Sequence, residues 1–338
     1  MKLPAKYWIP GGAIALLVAT ELTLRFAFGL GTPVLIQADP QTGYRFKPNQ
    51  KVFIFGKKVE YNQYSQRSET ITPQKPSGKL RILMIGDSVL NGGNPTDQSQ
   101  TITELFEAKL ATSGRKAEIL NASAGSWGIG NQLGYLRKFG TFNADAVILQ
   151  IGTHDLTQPT SNSTSVGNHP AYPTQAPLLA IQDVWIRYLW PALAGKLGLN
   201  NSSGADFSAS PTSQDPDRQY QQNMHLLKEI VKLVRSKNRP VFVLFTPNRD
   251  DLIPKANQPK YKSEFLRLLL TLQVPIIDSH KAWSTLPPTT VETYFRDEVH
   301  LNVAGNDAIA QKLFGQLCVR RQLPACALDG RNPSPASR

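Results

Sequence analysis

Ser88 is the side chain in this sequence best placed for nucleophilic chemistry. It follows Gly86 and Asp87 at the end of a short apolar run, Arg81 to Ile85, where a helix should begin. A serine at such a point holds its hydroxyl at the carboxyl edge of a sheet, and its own backbone N–H can point at a developing oxyanion. The tripeptide by itself is also ordinary turn chemistry. A second block, Asp297-Glu298-Val299-His300, lies late in the chain, just before the last helical pattern. A spacing of three lets a carboxylate and an imidazole face one point on a single turn, so that the first orients the second. The same pair could ligate a metal or sit in a plain surface turn. Two further blocks close apolar runs: Asn121-Ala122-Ser123-Ala124-Gly125-Ser126-Trp127-Gly128 and Ile151-Gly152-Thr153-His154-Asp155. Asp87 and Asp155 read as hydrogen-bond acceptors that fix loops rather than as acids.

These blocks need elements to position them. From Lys79 onward, strands alternate with helices. Strands are expected at Arg81–Ile85, Glu118–Leu120, Ala146–Ile151, Pro240–Phe245 and Pro275–Ile277. Helices are expected at Thr101–Leu110, Asn131–Phe139, Tyr220–Val234, Ser263–Leu272 and Val303–Leu317. Such alternation implies a parallel sheet covered by helices on both faces, with active-site loops at the carboxyl ends of the strands. Residues 156–215 interrupt the rhythm with two polar segments flanking an aromatic helix, Leu178 to Leu197. Arg187 and Pro191 make that helix a poor membrane span. It either packs into the core or forms an aromatic lip over the site. Trp127, Trp185 and Tyr188 are the candidate substrate contacts.

The four blocks, in this order and at these strand ends, resemble the SGNH (GDSL-type) hydrolase family across roughly residues 79–318. The resemblance implies a flavodoxin-like three-layer α/β/α sandwich with a five-stranded parallel sheet, and hydrolysis or transfer of acyl esters. Carried over by position, Ser88 is the nucleophile, His300 the general base and Asp297 its orienting carboxylate. The oxyanion hole draws on the Ser88 N–H, a backbone N–H at Gly125 or Ser126, and the side chain of His154. Two departures stand out. Ser126 occupies a position where the family usually has glycine, and His154 replaces the family's asparagine. A neutral imidazole can donate from one nitrogen if the other accepts or faces solvent, so His154 is expected to substitute as the donor. Three functions follow: an esterase acting on acetyl or short acyl groups of a cell-envelope glycan or lipid, an O-acyltransferase with the same triad, or an inactive envelope-binding module.

At the amino terminus, Lys2 and Lys6 precede an apolar run from Tyr7 to Thr20, and a second apolar stretch from Leu22 to Leu35 carries Arg25. Residues 7–30 are long enough to cross a bilayer. Glu21 and Arg25 lie one turn apart and can pair near the far interface. Positive charge before the run predicts a cytoplasmic amino terminus, hence a single-pass inner-membrane protein with its catalytic domain outside; a cleaved signal peptide, for which no clean small-x-small site follows the run, and a buried helix of a soluble protein are the alternatives. The segment Asp39 to Tyr44, reading Asp-Pro-x-x-Gly-Tyr, also looks like membrane-anchored bacterial members. The expected layout is an anchor at 1–30, a connecting segment at 31–78 with a hairpin at Lys51–Tyr61, the hydrolase domain at 79–318 and a tail at 319–338. For an exported chain, Cys318 and Cys326 can form a disulfide.

The net charge of +12 is scattered: Lys57–Lys58, Arg235–Arg239 and Arg320–Arg321 are short and not interleaved with aromatics, so no nucleic-acid motif is present. Asn91-Gly92-Gly93-Asn94 lacks the lysine and hydroxyl of a phosphate loop. His169, His225 and His280 have no partners at ligand spacing. Leu90 rules out the Gly-x-Ser-x-Gly elbow. Neither a metal nor a cofactor is expected.

Overall fold

The fold was taken from a computed structural model, which describes residues 5–197 and 215–326. Lys2, the end of the 156–215 insertion and most of the 319–338 tail lie outside the described residues.

The chain begins with helix α1 (Ala5–Phe28), then two antiparallel hairpins, β1 (Ile36–Asp39) with β2 (Gly43–Phe46), and β3 (Gln50–Ile54) with β4 (Lys57–Tyr61). The strand-and-helix body follows: β5 (Leu80–Gly86), α2 (Ser88–Asn91), α3 (Ile102–Thr112), β6 (Ala117–Ser123), α4 (Ile129–Phe139) and β7 (Ala146–Gly152). Next comes a helical stretch of α5 (Ala180–Val184), a π turn (Trp185–Leu189) and α6 (Trp190–Lys196). The rest is α7 (Pro216–Ser236), β8 (Val241–Thr246), α8 (Lys262–Thr271), β9 (Ile276–Asp278), α9 (Ser279–Trp283), α10 (Pro288–Glu292) and α11 (Val303–Phe314).

The five body strands form one parallel sheet, as expected, and their order is β6-β5-β7-β8-β9. Every residue of β5, β7 and β8 is buried, which is why these strands read as unbroken apolar runs rather than alternating ones. Strand pleating sends alternate side chains to opposite faces. Leu83 and Ile85 pack beneath α4 and α7, while Ile82 and Met84 pack beneath α3 and α11. The amphipathic face of α7 is the one its spacing predicts, with Met224, Leu227, Ile230, Val231 and Val234 buried. Strand order reverses at β5, so the crevice between β5 and β7 is the place where such sheets hold a site.

Two features of residues 31–78 differ from expectation. The first hairpin, β1–β2, was not foreseen; its Asp39–Tyr44 sequence forms the turn. Asp39 accepts from the N–H groups of Gln41 and Thr42 and pairs with Arg45 and Lys138. Burial raises its pKa, but those cations and N–H groups outweigh it and hold the carboxyl at about 2. The segment also does more than connect. Arg67, fully buried, donates to the carbonyls of Asn91, Gly93 and Thr96, and Tyr61 donates to Asn91 Oδ1 at 3.0 Å. The loop that follows Ser88 is therefore held from the amino-terminal segment. Lysine has one compact ammonium in place of a planar fork, so Arg67→Lys is expected to cost about 2 kcal/mol through carbonyls left unsatisfied. The urea midpoint checks this, and an unchanged midpoint would contradict it.

Candidate active site

Ser88 occupies the first position of α2, directly after β5. The turn is tight for a definite reason. A Cβ on Gly86 would lie 2.3 Å from Gln150 Oε1, and that oxygen accepts the Asp87 N–H at 3.1 Å. Asp87 caps α2 by accepting from Val89 N at 2.8 Å, and Gly92 ends it with φ at 78°, a left-handed conformation natural to glycine. The second block braces the turn: Asn121 Nδ2 donates to Leu90 O at 2.9 Å, and Asn91 Nδ2 to Ser123 O at 3.0 Å.

The downstream partners sit on the loop between α10 and α11. A bridge between Phe295 and Leu301 closes the loop, and Arg296 N donates to His300 O at 2.8 Å. Within it, Asp297 Oδ1 accepts from the N–H groups of Val299 and His300 at 3.0 and 2.7 Å. Both Asp297 oxygens lie 2.9 Å from His300 Nδ1, and His300 Nε2 lies 2.9 Å from Ser88 Oγ. The aspartate thus accepts the Nδ1–H hydrogen bond and leaves Nε2 to face the serine. Partial burial pushes the Asp297 carboxyl up, but the His300 and Val299 N–H groups and the imidazole outweigh that and hold it low. The pair is open to solvent, with side chains 48% exposed for Asp297 and 30% for His300.

The backbone N–H groups of Ser88, Gly125 and Ser126 donate to no acceptor among the described residues, which leaves them available to an oxyanion. Ser126 has φ at 57°, a left-handed conformation, which gives the physical reason for glycine at this position in the family.

His154 departs from expectation. Its Nε2 lies 2.6 Å from Asp87 Oδ2 and its Nδ1 2.9 Å from Asn248 Oδ1. Both nitrogens are taken up by oxygen acceptors, so neither is spare for an oxyanion in this arrangement. Burial alone would lower the imidazole pKa, but the carboxylates of Asp155 and Asp87 outweigh it and raise it to about 10. His154 is accordingly an imidazolium, not the neutral donor expected. Burial and the neighbouring Asp87 carboxylate push Asp155 upward, against the imidazole and the Gly152 N–H, and its buried Oδ1 has no hydrogen-bond partner. Asp87, His154 and Asp155 offer three ligand atoms within 4.8 Å of one another, the one such group among the described residues.

Other expected contacts fall elsewhere. Trp127 is 1% exposed, packs at a tilt against Tyr135 and donates from Nε1 to Tyr44 O at 2.9 Å. It is a core residue and offers no face to a substrate. Trp185 and Tyr188 do not pack into the core. Both are exposed, on the stretch between α5 and α6, and Tyr188 packs against Phe55 at the β3–β4 turn. Cys318 and Cys326 are joined as a disulfide. Asn248 and Gln150 escaped notice in the sequence; their one signal is location, at or just past the carboxyl ends of β8 and β7.

Comparison with protein families matches residues 84–308 to the GDSL-like Lipase/Acylhydrolase family. Comparison with curated proteins finds no match. Among solved structures, the chain is similar to the acetyl xylan esterase AlAXEase, at 17% identity over 70% of this chain and 100% of that one, with a TM-score of 0.45. It is also similar to a lipase/acylhydrolase from Enterococcus faecalis, at 16% identity over 75% and 100%, with a TM-score of 0.44. A member of the lipolytic protein G-D-S-L family from Veillonella parvula matches at 13% identity over 69% and 96%, with a TM-score of 0.41. The family match spans the strand-end serine, both central blocks and the loop of Asp297 and His300, and by it this chain belongs to the GDSL-like lipase/acylhydrolase family as an SGNH-type ester hydrolase.

Proposed function

We propose that this protein is a membrane-tethered serine esterase of the bacterial cell envelope, removing acetyl or short acyl groups from a glycan or lipid. Ser88 is the nucleophile, His300 the base and Asp297 the group that orients it. The carrying observation is the relay from Asp297 to His300 Nδ1 and from His300 Nε2 to Ser88 Oγ, each step 2.9 Å. His300 takes the hydroxyl proton as Ser88 Oγ bonds to the ester carbonyl carbon. The N–H groups of Ser88 and of Gly125 or Ser126 receive the oxyanion, and His300 returns the proton to the departing alcohol. Water then attacks the acyl-serine, His300 acting again as base, and the acid leaves. An acceptor hydroxyl would give acyl transfer by the same steps. The solvent exposure of Asp297 and His300 favours water.

In this reading residues 1–30 are the anchor, 31–78 the segment bracing the nucleophile loop, 79–318 the hydrolase domain and 319–338 the tail. The anchor rests on α1, whose Gly11–Phe28 window is apolar and has no buried residue. Its far end makes specific contacts with the folded body, Arg25 donating to Leu178 O at 2.9 Å and Glu21 accepting from Ala180 N at 2.8 Å. Such contacts favour a retained helix over a cleaved leader. A net charge of +12 suits anionic envelope polymers.

Fluorophosphonate labelling tests the assignment. The full chain is expected to carry a phosphonyl adduct that peptide mass analysis places on Ser88, and Ser88→Ala to carry none. Undiminished labelling of the alanine variant would end the reading.

A further inference from the structure

The helical stretch from Ala180 to Lys196 is unusual for the surface of a body otherwise well packed. Leu178 is 90% exposed, Trp185 50% and Trp190 45%, and Tyr188, Leu189 and Leu193 are exposed beside them. Large contiguous apolar patches on soluble surfaces are sites of association, and the composition narrows the partner. Trp and Tyr with aliphatic neighbours, and Arg187 and Lys196 on the same stretch, are the residues that settle at a bilayer's headgroup boundary.

Position narrows it further. The stretch has no N-terminal cap of its own, since Leu179 precedes it. The cap comes from α1, where the two oxygens of Glu21 accept from Ala180 N and Ile181 N at 2.8 and 3.1 Å. Two orphan N–H groups at a helix start are thereby satisfied by a carboxylate, which also suits the helix dipole. Arg25 pairs with Glu21 at 2.8 Å and donates to Leu178 O at 2.9 Å, and Asp183 Oδ2 accepts from Gly31 N at 2.9 Å. The stretch is therefore fastened to the carboxyl-terminal part of α1. At 1.5 Å per residue, Glu21 lies about 24 Å along α1 from its first residue, near the edge of a hydrocarbon layer about 30 Å thick. A charged cluster fits that boundary and not the layer's interior. Phe55, at the turn of the β3–β4 hairpin, packs on both Phe28 and Tyr188 and joins the apolar surface to the end of α1.

We propose that the Ala180–Lys196 stretch is an interfacial helix, lying in the outer headgroup region of the bilayer that α1 crosses and presenting Trp185, Tyr188 and Trp190 to lipid. It rests on the reading of α1 as a membrane anchor. Its consequence is orientation: a single span leaves a domain free to swivel, whereas a second contact at the membrane plane fixes which way the Ser88 crevice faces.

Tryptophan quenching tests this. In the full-length chain carrying Trp8→Phe, Trp185 and Trp190 are the tryptophans that lipid can reach, because Trp127 and Trp283 are buried. The protein is reconstituted into phosphatidylcholine–phosphatidylglycerol vesicles, and flotation of the vesicles is scored first. Phosphatidylcholine brominated near the top of its acyl chains is expected to remove about half of the emission of the two exposed tryptophans, as suits a helix buried shallowly at the headgroup boundary. Aqueous iodide should quench them little, and further replacement of Trp185 and Trp190 by phenylalanine should abolish the lipid effect. A chain that floats but whose tryptophans are quenched by iodide and not by brominated lipid overturns the interfacial helix and leaves the anchor standing. Shielding from both quenchers, with cross-linking between chains, assigns the patch to a second copy and overturns it too. A chain that does not float removes the anchor and this proposal together.

Discussion

Alanine in place of His300 is expected to lower kcat by about a million-fold while leaving KM little changed, because the members of a triad act as a unit and removing the base disables the nucleophile as well. The geometry gives no substitute. His154 is held between Asp87 and Asn248, and His280 lies against Lys262 at 2.7 Å and Asn257 O at 2.9 Å, so neither imidazole can reach Ser88 Oγ without losing its own partners. Asp297→Asn should cost less, about ten-thousand-fold, by turning the imidazole to the wrong tautomer. Initial rates on a chromogenic acetyl ester, with circular dichroism to show that each variant is folded, give the measurement. A loss at His300 smaller than about a hundred-fold, the lower end of what general-base catalysis contributes, would mean that another group takes the serine proton.

The parts of this molecule that could be read in advance are those whose cause is local. A strand buried on both faces must be apolar throughout, so β5, β7 and β8 were visible as runs. A helix with one buried stripe must repeat at its own period, so α7 was visible with its core face. Chemistry at strand ends follows from the parallel sheet, and the sheet pattern puts Ser88 and the two central blocks on one edge. The loop of Asp297 and His300 was legible for the same reason, since a spacing of three on one turn is enough to join them.

What stayed hidden depends on partners far along the chain. The β1–β2 hairpin sits in a segment rich in proline, glycine and amides, and its turn is held by Lys138, 99 residues beyond Asp39 by the numbering. Arg67 looks like any surface arginine in the sequence; only the carbonyls of Asn91, Gly93 and Thr96 explain why it is buried. Trp127 was misjudged because its block is catalytic in character, whereas its indole points inward to Tyr44 O. The neighbour of the aromatic helix is α1, through Glu21 and Arg25, a contact about 160 residues apart that no local pattern signals.

His154 shows the same limit with more consequence, and its replacement is expected to reveal a structural debt rather than a catalytic one. Asp87 is 1% exposed and Asp155 is fully buried, and the imidazolium between them is the nearest positive charge. Removing one partner of a buried ion pair costs about 3–5 kcal/mol, so His154→Asn should lose about that much in urea unfolding even though asparagine is the residue the family usually carries. Activity at a temperature where both proteins are folded should stay within about ten-fold, since loss of an oxyanion donor would cost about a hundred-fold or more. The pH dependence carries its own sign. The folded pKa of His154 is raised from 6.5 to about 10, so its contribution is complete below pH 6.5 and drains away as pH rises through about 10. The wild-type stability advantage over His154→Asn should therefore be largest near pH 6 and shrink toward pH 10. An advantage that grew with pH, or a variant as stable as wild type but a hundred-fold slower, would return His154 to the oxyanion hole and leave Asp87 needing another counter-charge.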